Sequence, residues 1–145
     1  MRRHLVLAVL ATCALIAVSV AAAESGRPLT TTMTGAAEVP GPGDPDGSGT
    51  ATIILNSGTN EVCWEITVSG ITLPATAAHI HVAPVGVAGP VVVALSPPDA
   101  TGFSSGCRSA DSALIKTIRK NPELYYVNVH TSDYPGGAIR GQLSK

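Results

Sequence analysis

Three of the four histidines are spaced so that their side chains could converge on a metal ion. His79 and His81 are two residues apart in an alternating apolar segment, and His130 ends another such segment. Residues two apart on a β-strand point to the same side, with Cα atoms roughly 6.5–7 Å apart. Two such imidazoles and a third from a neighbouring strand would suit copper or zinc and leave one coordination position open. In the alternative interpretation, the rings are solvated or bind loop backbone.

Alternation in the two segments predicts which side the histidines occupy. The apolar positions are expected to face the core: Ala78, Ile80, Val82, Tyr125, Val127 and Val129. The intervening positions are expected to face outward: His79, His81, Tyr126, Asn128 and His130. The sequence therefore predicts all three histidines on one outer surface, beneath a Pro/Gly-rich loop over residues 83–89.

The last predicted strand carries a positively charged residue, Arg140. Arg140 is close in sequence to His130 and Asp133, so it could hold an anion beside the histidines. The more common role of such an arginine is pairing with a local carboxylate. Both interpretations stay open, with Arg140 and Asp133 as candidate anion-binding or supporting residues.

Two further motifs are interpreted as having no catalytic or metal-binding role. Residues 102–106 match the G-x-S-x-G pattern of serine hydrolases, but that pattern works as an elbow on a large α/β sheet. Ser104 is therefore not predicted to be a nucleophile. Residues 44–48 have the acid spacing of a calcium loop but lack its bidentate glutamate, so they are predicted to be a solvated loop.

The elements that must position these side chains are short strands separated by turns. Strands are predicted over 29–34, 50–56, 61–69, 78–82, 91–95, 124–131 and 138–143, with one helix over 111–120. Residues 96–108 are predicted to be irregular. Trp64 and Tyr125 lie in apolar alternating rows and are assigned to the core. About seven strands and one short helix predict an antiparallel sandwich or barrel in one domain.

Composition narrows the function classes. The 145 residues are 45% hydrophobic and only 13% charged, which argues against disorder. A net charge of −1 gives no basic surface for nucleic acid. The length does not accommodate the larger α/β enzyme folds.

Residues 1–23 form a separate segment. Arg2 and Arg3 precede a long apolar run, and Ala21 and Ala23 supply the small residues of a cleavage site. This pattern predicts a secretory signal peptide cleaved after Ala23, and hence a secreted protein with no membrane attachment. In one alternative the uncleaved run spans a bilayer, and in another the segment 10–13, which ends at Cys13, is a lipobox, although Thr12 before the cysteine fits that motif poorly. Cleavage would leave residues 24–145 with a net charge of −3, because two arginines are lost.

Two cysteines, Cys63 and Cys107, remain after cleavage. A pair in an exported chain is most simply a disulfide, and no Cys-x-x-Cys motif suggests redox activity. The 44-residue separation corresponds to stabilisation of about 4 kcal/mol in the loop-entropy model.

Three segments in a fixed order resemble the CHRD (chordin) domain. They are GAAEVP at 35–40, AAHIH at 77–81 followed by Gly86, Gly89 and 90–93, and YVNVHT at 126–131 with PGGAIRGQL at 135–143. The resemblance covers about residues 29–143. It implies an antiparallel immunoglobulin-like or superoxide-dismutase-like β-sandwich in an exported protein, acting as a non-catalytic module for an extracellular partner or ligand. The expected binding surface is the histidine face with loops 83–89 and 131–137.

His79-Ile80-His81 also resembles the His-Val-His strand that supplies copper ligands in copper-zinc superoxide dismutases. Those enzymes use further histidines and a zinc loop, whereas residues 24–145 contain only three histidines. Dismutase activity is therefore not expected. A copper- or zinc-binding protein with possible redox chemistry remains the alternative function.

Overall fold

The computed structural model describes residues 26–145, which form one antiparallel sheet of eight strands with a short helix. The strands are β1 Leu29–Thr34, β2 Ser48–Asn56, β3 Glu61–Ser69, β4 Ala77–Val82, β5 Val91–Leu95, β6 Phe103–Ser109, β7 Tyr125–His130 and β8 Ile139–Gln142. The helix α1 spans Ser112–Lys120, and 3-10 turns span Gly35–Ala37 and Pro122–Leu124. The strand order across the sheet is β5-β4-β7-β8-β1-β2-β3-β6.

The predicted all-β antiparallel class with one short helix is confirmed, but the strands do not form a clear two-sheet sandwich. All eight belong to one hydrogen-bonded sheet that is nearly closed, like a barrel. The segment that follows β5 is hydrogen-bonded to β6: the Ser104 hydroxyl donates to the Ser96 carbonyl at 2.6 Å. Ser104 also accepts a hydrogen bond from the Trp64 indole at 3.1 Å, so its hydroxyl is used structurally.

Strand β6 corrects the prediction that residues 96–108 are irregular. It pairs with β3 from Glu61↔Ser109 to Thr67↔Phe103. The strand lies at an edge, and most of its side chains are exposed and polar. A strand with no buried apolar row lacks the alternation by which sequence reasoning recognises strands.

The core lies on the inner side of the sheet, where β1, β2 and β3 bury alternate residues, whereas β7 is buried on both faces. Helix α1 adds Ile115 and Ile118 to this core. Asp111 begins the helix by accepting hydrogen bonds from the Ala113 and Leu114 amides, the usual role of an N-terminal Asp cap. The predicted core residues Trp64 and Tyr125 are buried. All the strands that carry this core lie within residues 29–142.

The predicted Cys63–Cys107 disulfide is present and joins directly opposed residues of β3 and β6. Within residues 26–145, no helix is long and apolar enough to cross a membrane. The signal peptide predicted over residues 1–23 lies outside the described residues.

Candidate metal centre

The pairing of β4 with β7 brings the three histidines together. His79 is opposite Asn128, His81 is opposite Tyr126, and Ala77 is opposite His130. Directly opposed residues of antiparallel strands share a face, so the three rings lie on the same side of the sheet. One ring nitrogen from each histidine lies within 4.8 Å of the other two, a grouping that could hold a metal ion.

Backbone carbonyls set the protonation of two of these rings. The Nδ1 of His81 lies 2.8 Å from the Gly89 carbonyl, and the Nδ1 of His130 lies 3.0 Å from the Pro135 carbonyl. A carbonyl can only accept, so each Nδ1 carries the hydrogen and each Nε2 of the neutral ring keeps a lone pair. The Nε2 of His81 is buried and has no hydrogen-bond partner among the described residues. A histidine that donates its other N–H to a carbonyl is typical of metal ligands.

The third ring is already close to one of the others. The Nδ1 of His79 lies 3.2 Å from the Nε2 of His130. Two nitrogens bound to one tetrahedral zinc at 2.0–2.1 Å are about 3.3 Å apart, so this pair has the required separation. The remaining nitrogen–nitrogen distances, at most 4.8 Å, require a modest inward movement.

The surroundings favour neutral rings. Burial lowers the pKa of His79, and the neighbouring charges of His130 and His81 lower it further. Burial also lowers the pKa of His130, although its hydrogen bond to the Pro135 carbonyl opposes the change. Because only a neutral imidazole can bind a metal ion, both shifts extend the pH range in which the site is ready for one.

A tyrosine supports His81 from two directions. The Tyr126 ring stacks on the His81 ring, with centroids 4.7 Å apart and planes 9° from parallel. Its hydroxyl accepts a hydrogen bond from the Gly89 amide at 3.1 Å. The backbone of Gly89 therefore contacts both side chains, its N–H the Tyr126 hydroxyl and its carbonyl the His81 ring, and it orients the imidazole.

Gly89 and Pro135 were missed by sequence reasoning because they contribute carbonyl oxygens, which every residue has. The position of Gly89 nevertheless requires glycine. A Cβ placed there would lie 2.0 Å from the Val82 carbonyl oxygen. Its occurrence between Ala88 and Pro90 was the available signal, since such glycines often mark a close approach of two backbone segments.

The face that carries the histidines is largely covered, which corrects the expectation of an outer surface. Asn128 is only 3% exposed and Arg140 only 2%. The loop after β4 covers them, because the Pro84 carbonyl accepts a hydrogen bond from Arg140 and the Ala83 carbonyl accepts one from Gln142. Alternation predicted the side correctly, and the loop predicted above it is there; what the prediction missed is how far that loop buries Asn128 and Arg140.

Glu38 is a buried acid close to Asn128 and Arg140. A Cβ on Gly137 would meet both carboxylate oxygens of Glu38, so the acid lies directly against that backbone. Burial raises its pKa from 4.5 to about 7, although a hydrogen bond from Asn128 and the charge of Arg140 oppose the rise. Sequence reasoning did not select Glu38, because nothing in GAAEVP marks the acid as buried.

Arg140 and Asp133 occupy different surroundings. The Arg140 guanidinium carbon lies 3.4 Å from the centre of the Tyr126 ring, a cation–π contact. Tyr126 is thus in contact with both His81 and Arg140. Asp133 is exposed, and it accepts hydrogen bonds from the Thr72 and Ser132 hydroxyls.

Comparison with known proteins identifies the chain at the level of a family. The sequence model of the CHRD domain family matches residues 29–143, nearly all of the described chain. No curated protein matches the sequence.

Proposed function

This chain belongs to the CHRD domain family, and on that premise we propose that it is a secreted, non-catalytic binding module whose ligand is a copper or zinc ion. The ion is held by His79, His81 and His130. One observation carries the proposal. Two backbone carbonyls fix the Nδ1 hydrogens of His81 and His130, so both Nε2 atoms keep their lone pairs. The Nε2 of His81 has no partner among the described residues, and that of His130 faces the His79 Nδ1 at 3.2 Å.

The donor set suits copper and zinc. Neutral imidazole nitrogens bind Zn²⁺ and Cu²⁺ well, whereas calcium and magnesium prefer oxygen ligands. Three protein ligands leave one coordination position for water or for a group of a partner. The signal-peptide pattern at residues 1–23 supports function outside the cell.

Binding should be visible as increased thermal stability of residues 24–145. A metal ion at a hundred times its Kd adds about 2.7 kcal/mol to the free energy of unfolding, which corresponds to a rise in Tm of roughly 10 °C. His79→Ala and His130→Ala should each lose most of this rise. Thermal scans with Zn²⁺ and Cu²⁺ would measure it.

The exposed neighbour Ser132 offers a matched control for these scans, since Ser132→Ala should keep the full rise in Tm. No rise with either metal would contradict the proposal. An equal rise in the natural sequence and both histidine variants would contradict it as well.

The Tyr126→Phe variant separates two contributions of Tyr126, the hydrogen bond of its hydroxyl with Gly89 and the stacking of its ring on His81. Phenylalanine keeps the ring against His81 but removes the hydroxyl that accepts from the Gly89 amide. Loss of a hydrogen bond to a metal-ligating histidine itself typically weakens metal affinity 10–100-fold. The Tyr126 hydroxyl acts one residue further out, through Gly89, so we expect a loss of up to about tenfold, measured by titration calorimetry. Tyr125→Phe is the control, because Tyr125 is buried on the core side and should leave the affinity unchanged. Equal affinities for both variants would exclude Tyr126 as a positioning residue.

A further inference from the structure

A second concave site lies beside the histidine cluster, between the first 3-10 turn and the loop after β4. This Arg140 cavity has a volume of about 210 Å³. Its walls are mainly apolar, and its polar groups come from β8: the lining includes Ala36, Ala37, Val39, Val85, Arg140 and Gln142. Val85 is 77% exposed and adds an apolar surface at the rim.

Arg140 supplies the positive charge of this cavity. Its Nη2 donates to the Pro84 carbonyl at 3.2 Å, and the guanidinium lies over the Tyr126 ring. Its Nη1 is buried and has no hydrogen-bond partner in the part of the chain that the structure describes. A buried donor without a partner costs about 1–3 kcal/mol, and more when it is charged. Arg140 is among the residues that line the cavity, so an acceptor bound there lies beside the guanidinium and would reach this N–H after a small movement of the side chain.

The nearby acid Glu38 does not remove the cost of the unpaired Arg140 donor. Glu38 interacts electrostatically with Arg140, yet burial raises the pKa of Glu38 to about 7. Below neutral pH the carboxyl is therefore mostly uncharged. Its Oε1 is also buried without a hydrogen-bond partner among residues 26–145. Arg140 thus has an unused N–H at any pH, and below neutral pH its charge is also unmatched by Glu38.

We propose that the Arg140 cavity binds a small organic monocarboxylate with a short apolar body, whose carboxylate accepts hydrogen bonds from the Arg140 guanidinium. The planar guanidinium fits a carboxylate, and a single cation matches a single negative charge. The apolar walls fit a hydrocarbon body. The volume is below the roughly 300–1,000 Å³ of sites for drug-sized ligands, so the ligand is small.

This site is separate from the metal centre and does not depend on it. The Tyr126 ring contacts Arg140 and also His81, and no histidine is among the residues that line the cavity. The carboxylate can therefore be tested on protein freed of metal. Metal should be removed with a chelating resin, because soluble chelators are themselves carboxylates.

Butyrate and its neutral analogue butyramide make a matched pair of probes. We expect saturable butyrate-dependent shifts of the backbone amide NMR signals of residues 36–39 and 85–87. Butyramide should bind about 2- to 30-fold more weakly, since hydrogen bonds to charged groups are worth about 1.5–3 kcal/mol against about 1 kcal/mol for neutral ones. Equal binding of the two probes, or no binding of butyrate, would overturn the proposal. Tighter binding of inorganic phosphate would overturn the assignment to monocarboxylates.

Variants locate the site without removing the buried arginine. Ala36→Leu should block butyrate binding by filling the cavity, because Ala36 is an exposed wall residue. Ala100→Leu, also at an exposed alanine but in a distant turn, should not. Butyrate binding that survives Ala36→Leu would place the site elsewhere.

Arg140→Lys keeps the charge but loses the planar fork, so it should weaken butyrate binding. His79→Ala and His130→Ala should bind butyrate as the natural sequence does. Loss of butyrate binding in those two variants would contradict the separation of the sites. Failure of metal binding alone would leave the carboxylate proposal intact.

Discussion

At pH 8, Glu38→Gln should raise the free energy of unfolding by about 3 kcal/mol, and at pH 4.5 the variant and the natural sequence should be nearly equal in stability. The carboxylate of Glu38 is buried and its pKa is raised to about 7, whereas its ordinary value is 4.5. Glutamine has nearly the same shape but never carries the charge. Urea unfolding at a series of pH values would measure the difference.

The sign of this effect follows from proton linkage. Between pH 4.5 and about 7 the folded protein keeps a proton on Glu38 that the unfolded chain has released. The stabilising contribution of that proton is therefore fully present below pH 4.5 and is lost as the pH rises through 7. A shift of one pKa unit is worth 1.36 kcal/mol, which sets the size of the expected change.

The histidines titrate in the opposite sense. Because the pKa values of His79 and His130 are lowered, their contribution to stability is present above pH 6.5 and is lost as the pH falls. Both proteins contain these histidines, so the contribution cancels in the comparison. Glu65→Gln, at an exposed position of β3, is the control and should change stability by less than about 0.5 kcal/mol. A Glu38→Gln variant less stable than the natural sequence at pH 8 would show that Glu38 is needed as an anion.

Replacing both disulfide cysteines by serine should lower the free energy of unfolding by about 4 kcal/mol. The bond closes a loop with a sequence separation of 44 residues, and its removal restores that conformational freedom to the unfolded chain. The folded state should survive, because β3 and β6 keep their ladder of backbone pairs. Denaturant unfolding of the double variant would measure the loss.

The reduced natural sequence is the matched comparison for this variant, and the two should unfold at the same denaturant concentration. Zinc binding should persist in both, because the histidines are on β4 and β7. A loss of less than about 1 kcal/mol would contradict the loop-entropy account.

Much of the site could be predicted from the sequence because alternation determines the side on which a strand residue lies. His79 and His81 follow directly from their two-residue spacing, and His130 follows from the row of Tyr126 and Asn128. Predicting that these rows are adjacent required only that the strands pair. The CHRD motifs indicated the family, but they gave no information about the distances between the histidines.

The rest depended on long-range packing. Gly89 and Pro135 act through carbonyl oxygens, so their residue types do not reveal the role. Glu38 and Arg140 look like surface charges in the sequence, and they are buried only because the first 3-10 turn and the loop after β4 cover that side of the sheet. Strand β6 escaped prediction because its polar edge position leaves no apolar periodicity.

X-ray absorption at the zinc edge, recorded on residues 24–145 loaded with one equivalent of Zn²⁺, tests the proposed metal centre most directly. The proposal predicts three imidazole nitrogens at about 2.0–2.1 Å from the metal, with one further light ligand. It also predicts that the His79→Ala/His130→Ala double variant no longer gives this spectrum. A shell of oxygen ligands alone, or the same spectrum from the double variant, would contradict a three-histidine site.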